Sequence, residues 1–487
     1  MLFNSFEFVI FLPIVFIIYW FVAQNNLKLQ NFFLVLASYI FYGWWDWRFL
    51  SLIIFSSSVD YFIGLSLVRT EDQSKRKLLL LLSIFINLGF LGFFKYYNFF
   101  VESFIDAFTL LGEPIKASRL NIILPVGISF YTFQTLSYSI DVYKRNLKPT
   151  KDAISFFAFV SFFPQLVAGP IERATNLLPQ FYKKRTFKYE NAIDGMKQIL
   201  WGLFKKVVIA DNCAQFANEI FDNYADLNGS TLILGAIFFT FQIYGDFSGY
   251  SDIAIGTSRL FGFNLMQNFA FPYFSRDMAE FWRRWHISLS TWFKDYVYIP
   301  LGGSRGGLWM KIRNTFIIFL VSGFWHGANW TYIIWGALNA CYFLPILLSK
   351  KNRANMNTVA HNSVFPSLKE LSQIGLTFTL TVFAWIFFRA KNVGEAFSYI
   401  KGIFSTSNFF NIIPISWGGR LQSDFAFTLL SILLLIVIEW FGRDTQYGIS
   451  YFSKIKSKTL RWGAYLLLIF YIVTFAGSSQ DFIYFQF

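Results

Sequence analysis

The sequence predicts an all-α, polytopic membrane protein, and three observations carry that expectation. Hydrophobic residues make up 55% of the chain and charged residues only 14%, against roughly 25% charged in soluble folds. Apolar runs recur along the whole length, many near the roughly 20 residues that a helix needs to cross a bilayer core. Lys and Arg, 42 against 28 Asp and Glu for a formal charge of +14, gather in the connections between those runs, as the positive-inside bias requires. That bias accounts for the charge, and no nucleic-acid partner is expected. With 65 Phe, 16 Trp and 25 Tyr, the composition also excludes a disordered chain, a coiled coil and a disulfide scaffold.

Residues 1–7 carry no Lys or Arg ahead of the first apolar run, so no cleaved leader is expected. Runs near 8–23, 31–45, 49–68 and 78–94 read as spans. Lys28 follows the first, and Arg69, Lys75, Arg76 and Lys77 follow the third, which places those loops in the cytoplasm and the N-terminus outside. A run at 121–142 ends at Lys144, Arg145, Lys148 and Lys151, and Arg173, Lys183, Lys184, Arg185 and Lys188 mark the next basic stretch. Both flanks are cytoplasmic on this reading. The segment 153–168 between them is short and closed by Pro164, Gly169 and Pro170, so it is expected to dip into the membrane and return. Irregular backbone at membrane depth is tolerated only inside protein or beside a water-filled cavity, which implies a central cavity.

Later runs lie near 198–222, 231–250, 314–328, 331–348, 371–388, 425–441 and 462–477, for a total of about 11–12 spans. They form one integral-membrane domain, 1–487, with N-terminal helices 1–120, a core 121–350 and C-terminal helices 351–487. Cys213 and Cys341 lie far apart in apolar surroundings without metal-ligand spacing, which predicts free, buried thiols and no metal. Lys205 and Lys206 sit inside the apolar stretch 200–210, where they either mark a site or snorkel to an interface.

Only three histidines occur. His361, in the polar stretch 350–369, reads as a solvated loop residue. His326 follows Lys311 and Arg313 along an apolar run, and helical rise puts it roughly 20 Å into a core about 30 Å thick. Because Lys350, Lys351 and Arg353 are again basic, runs 314–328 and 331–348 should form a hairpin turning near Ala328 and Asn329, with His326 close under the outer face. An ionisable group at that depth is a functional-site candidate, and an imidazole can both take and give a proton near neutrality. Its neighbours Trp325 and Asn329 join it as candidate contacts.

His286 lies in a stretch where Phe281, Trp285, Leu289, Trp292 and Tyr296 recur at helical spacing, predicting one interfacial amphipathic helix. On it Trp282 and Arg283 share the face of His286, while Arg284 pairs with Glu280. Guanidinium beside indole, at Trp282, Arg283, Arg284 and Trp285, suits an anionic and partly planar ligand such as a nucleotide or phosphopantetheine group, although membrane anchoring explains the same spacing. Two more stretches are unusually polar for their setting. Tyr244, Asp246 and Ser248 belong to one and Gln134 to the other, and each lines an internal passage or bonds across helices. No serine-hydrolase elbow, phosphate-binding loop or zinc motif is present.

Together Trp282-Arg283-Arg284-Trp285-His286-Ile287-Ser288, Tyr298-Ile299-Pro300-Leu301-Gly302-Gly303-Ser304 and Gly323-Phe324-Trp325-His326-Gly327 resemble the membrane-bound O-acyltransferase (MBOAT) family, in its bacterial alginate O-acetyltransferase branch. Supporting stretches run from Asn4-Ser5-Phe6-Glu7-Phe8 through Pro164–Arg173 and Tyr244–Asp252 to Asp481–Phe487, covering essentially the whole chain. The resemblance implies an enzyme of the bacterial inner membrane that passes an acyl group, usually acetyl, from a cytoplasmic thioester such as acetyl-CoA for O-acylation of an extracytoplasmic polysaccharide. It implies no bound cofactor. The family's two histidines match His326, as general base or transient acyl carrier, and His286, which orients the thioester or stabilises the oxyanion. It further implies an extracytoplasmic SGNH acetyltransferase partner, of the AlgJ or AlgX kind. The rival reading is a transporter or flippase of an acyl-bearing or lipid-linked molecule, which the lack of an internal repeat disfavours. A third is a scaffold for a secretion complex.

Overall fold

A computed structural model describes residues 1–112, 119–167, 169–405 and 422–483, all helix and connection with no strand among them. Ala168 and the end of the C-terminal motif, residues 484–487, lie outside the described residues. Six helical segments are long and apolar enough to cross a membrane: Trp47–Arg69, Gln73–Leu110, Gly229–Leu260, Trp330–Leu348, Leu368–Arg389 and Ser423–Gly442. The chain is a multi-pass membrane protein, and its described residues form two compact units.

The first unit takes in residues 1–193 and 257–266. Its helices are α1 (Phe6–Ile17), α2 (Leu27–Gly43), α3 (Leu50–Arg69), α4 (Gln73–Leu91), α5 (Tyr97–Leu110), α6 (Ile128–Tyr143), α7 (Ala153–Ser161), α8 (Phe163–Leu166) and α9 (Ala174–Leu177). The expected span at 121–142 is a helix of 16 residues only, because Pro125 precedes it and Gly127 takes a left-handed φ of 74° at its start. Buried on nearly every side, α6 directs its polar residues to neighbouring helices: Ser139 donates to Asp60, and Thr135 to Asn87. Thr135 and Ser139 thus make the cross-helix bonds that one of the two readings of that stretch expects. Segment 153–166 is a helix broken at Phe162 and too short to cross a bilayer, the form expected of a re-entrant element.

The second unit takes in residues 194–256 and 267–487. It contains most of α10 (Tyr189–Leu203) and of α12 (Gly229–Leu260), with α11 (Asp211–Asp222) between them. The broken pair α13 (Met278–Arg284) and α14 (Ile287–Phe293) follows, then α15 (Leu308–His326), α16 (Trp330–Leu348), α17 (Leu368–Arg389), α18 (Val393–Ser405), α19 (Gln422–Gly442) and α20 (Lys458–Thr474). Cys213 is buried as expected, but Cys341 is exposed on α16, as an apolar thiol on a membrane helix can be.

The hairpin of α15 and α16 turns at residues 327–329, where the sequence places it, and Asn329 caps α16 by accepting from the Thr331 amide. Small residues let helix backbones approach closely in membranes, and here Gly323 and Gly336 do so. A Cβ on Gly323 would collide with the Tyr332 carbonyl, and one on Gly336 with that of Phe319. Gly323→Val is therefore expected to force the hairpin apart and cost about 1–3 kcal/mol, as overpacking does. The check is the thermal midpoint of detergent-purified protein, which an unchanged value would contradict.

Candidate functional site

The site is built in the second unit, from α12, α13, α14, α15, α16 and α17. The expected single helix over 281–296 is interrupted. His286 adopts φ 42° and ψ 55°, so α13 ends at Arg284 and α14 begins at Ile287. The left-handed region is disfavoured for most residues with a Cβ, less so for asparagine, aspartate and histidine, and the bend takes Trp282 and Arg283 off the face of His286 that helical spacing assigned them. The 281–296 periodicity is still answered by burial, since Phe281, Trp285, Leu289 and Trp292 are all buried, but on two short helices.

His286 is 1% exposed and His326 3% exposed. The ring of His326 lies edge-on to Trp335 at 5.0 Å, Phe388 at 5.3 Å and its neighbour Trp325 at 4.9 Å. Trp325 also approaches the ring of His286, at 6.0 Å, so one indole touches both imidazoles. Phe247 of α12 meets His286 edge-on at 4.6 Å. A tryptophan row joins the two sides: Trp282 to Trp335 at 5.7 Å, Trp335 stacked on Trp385 at 5.6 Å, and Trp385 to Trp285 at 5.1 Å. Burial pushes the His286 imidazole down to about 3, because a low-dielectric setting disfavours the charged form, so the ring is neutral at physiological pH.

The polar candidates have defined partners. Arg284 pairs with Glu280 at 2.9 Å, as its spacing suggests, and Arg276 binds the same carboxylate at 3.0 Å. Arg283 donates to the carbonyls of Asn352 and Asn355, while Arg443 donates to those of Val359, Ala360 and Ser363. These arginines hold the connection between α16 and α17, and His361 on it is exposed. Asn329 serves as a helix cap and donates to the Lys391 carbonyl. Tyr244 donates to the Glu439 carboxylate at 2.8 Å, with its ring 6.1 Å from Trp285. Ser248 is buried on the same helix. Gln134 belongs to the first unit, where it donates to the Phe159 carbonyl at 2.6 Å.

Lys205 and Lys206 are buried and ion-paired, so neither snorkels. Lys205 meets Asp252 at 2.6 Å, and Lys206 meets Asp246 at 2.7 Å and Asp211 at 2.8 Å. Lys206 also donates to the Gln480 carbonyl, and Asp246 accepts from the Ile483 amide at 2.6 Å. Sequence reasoning found the lysines and Asp246 but missed Asp211 and Glu439. Asp211 had a local signal, since it stands five residues beyond Lys206 on the same helical run; Glu439 had none.

These features define a class: an all-helical, multi-pass membrane protein with two buried imidazoles set around one tryptophan. A family model described as MBOAT, the membrane-bound O-acyltransferase family, matches residues 144–385. A probable alginate O-acetylase AlgI of Pseudomonas syringae pv. tomato is 42% identical over 411 residues, covering 83% of this chain and 75% of that protein. A peptidoglycan O-acetyltransferase of Helicobacter pylori is 35% identical over 531 residues, covering 100% of this chain and 98% of the other. A teichoic acid D-alanyltransferase of Bacillus subtilis is 31% identical over 46% of this chain and 60% of its own. The chain belongs to the membrane-bound O-acyltransferase family and is an acyltransferase.

Proposed function

We propose that the protein works in the bacterial inner membrane and passes an acetyl group from a cytoplasmic thioester, of the acetyl-CoA kind, for O-acetylation of an extracytoplasmic polysaccharide. The observation that supports this most is the burial of His286 and His326 around Trp325 within one unit. In the proposed step a hydroxyl oxygen attacks the thioester carbonyl carbon and the carbon–sulfur bond breaks. The hydroxyl proton passes to His326, acting as general base, and from there to the departing thiolate, which leaves as free thiol. His286 positions the donor. Trp282, Trp285, Trp325 and Tyr244 wall the path, and no cofactor is needed beyond the donor itself. The hydroxyl belongs to a glycan or to an SGNH acetyltransferase partner that completes the transfer.

Two acceptor classes deserve direct comparison. The alginate O-acetylases are the more identical relatives, whereas the peptidoglycan O-acetyltransferase matches from end to end. The test is purified protein in proteoliposomes with acetyl-labelled acetyl-CoA, an SGNH partner, and either alginate or peptidoglycan fragments. Alkali-labile label on the glycan together with stoichiometric free thiol is the expected result. Movement of label with the thioester intact would instead make the protein a carrier.

A further inference from the structure

Asn268 belongs to none of the motifs above, yet it organises the backbone on which His286 stands. Its main-chain carbonyl accepts from the Ile287 amide at 2.9 Å. Its side-chain oxygen accepts from the Ser288 amide at 3.3 Å and from the Ser288 hydroxyl at 2.8 Å. From outside the helix, Asn268 thus does for α14 what an N-cap side chain does from within, satisfying amides that have no intrahelical partner.

Those bonds fix which end of the amide is oxygen, because a backbone N–H can only donate. The other end, Nδ2, donates to Ser251 Oγ at 3.0 Å on α12, which agrees with that orientation. The same oxygen lies 3.1 Å from His286 Nδ1. An imidazole nitrogen facing an acceptor must carry the proton, and in a neutral ring the other nitrogen then holds the lone pair. The Ser288 hydroxyl, 3.4 Å from Nδ1, gives its own hydrogen to Asn268 and so presents only lone pairs to the ring. Edge-on packing by Phe247 restricts rotation of the ring out of this plane.

We infer that Asn268 is a positioning residue that sets the tautomer of His286, with the proton on Nδ1 and the lone pair on Nε2. The inference rests on the acyl-transfer reading above and deepens it. Of the two roles the family resemblance leaves open for His286, a neutral Nδ1–H imidazole cannot donate from Nε2 to an oxyanion. It can accept from the donor instead, and a pantetheine-type thioester carries amide N–H groups that fit such an acceptor. His286 therefore orients the thioester, and oxyanion stabilisation falls to other donors.

With three histidines in the whole chain, the protein labelled with ¹⁵N-histidine shows only three imidazoles, and His286→Asn identifies the one that matters. Solid-state spectra of the full-length protein in lipid should show His286 with a pyrrole-type Nδ1 and a pyridine-type Nε2. Asn268→Leu should release that preference, and Asn268→Asp, which keeps an acceptor oxygen, should retain it. In the acyl-transfer assay Asn268→Leu should lower activity by about 10- to 100-fold, by analogy with the loss of the hydrogen-bond partner that orients a metal-ligating imidazole, and Asn268→Asp should recover most of it. A wild-type spectrum with the proton on Nε2 overturns the inference, whether or not the leucine variant folds. Absence of acyl transfer by the wild type overturns the proposed function alone, since the tautomer is read without turnover.

Discussion

Replacing His326 with alanine in protein that remains inserted is expected to reduce acyl transfer to background. General-base catalysis contributes about 10²- to 10⁴-fold, and no second imidazole can substitute, because His286 is held by Asn268 on a different element. The ring also fills space against Trp325, Trp335 and Phe388, so alanine leaves a hole among aromatics that destabilises on its own account. His326→Gln, closer in volume and unable to take a proton near neutrality, separates the two effects. Both variants should lose transfer of labelled acetyl groups, while the glutamine variant keeps a melting temperature near that of the wild type. Retention by the glutamine variant of more than about a tenth of wild-type activity, well above what loss of a general base allows, would remove His326 from the mechanism.

The largest expected change in stability follows from Lys206→Met. Lys206 joins Asp211 and Asp246 in a setting where all three side chains are almost fully enclosed. Removing one partner of a buried ion pair costs about 3–5 kcal/mol, because the remaining charge is left without compensation. Here two carboxylates remain, facing each other. The loss should extend to the C-terminal segment, since Lys206 holds the Gln480 carbonyl and Asp246 the Ile483 amide. A markedly lower thermal midpoint and faster limited proteolysis near Gln480–Ile483 are the measurements. Adding Asp211→Asn and Asp246→Asn should restore part of the stability, whereas a single-variant midpoint equal to that of the wild type would contradict the argument.

How far the sequence could be read depended on whether the deciding interaction was local. The hairpin of α15 and α16 was legible because hydropathy, a Gly-Ala-Asn turn and basic ends all lie within one stretch. The Glu280–Arg284 pair was legible for the same reason, being one helical turn. The interruption at His286 was not. Periodicity from Phe281 to Tyr296 is satisfied equally by one helix or by two with a left-handed residue between them, and the bonds that choose the second come from Asn268, earlier in the chain. The fates of Lys205 and Lys206 were half legible, since burial of an ammonium group predicts a partner without naming it. Of those partners only Asp211 was near in sequence. Arg283 shows the converse: its type and setting suit an anion, but it holds carbonyls of a connection that folds back from beyond α16.

The left-handed backbone at position 286 also governs which side chains that position can hold. Asparagine, aspartate and glycine visit this region at little cost, whereas alanine and β-branched residues resist it. An alanine at 286 would thus unseat the start of α14 as well as delete a ring, and an asparagine deletes the ring while respecting the turn. The kink makes asparagine the informative replacement there, and it narrows the set of residues through which evolution or design can retune the pocket without first rebuilding its floor.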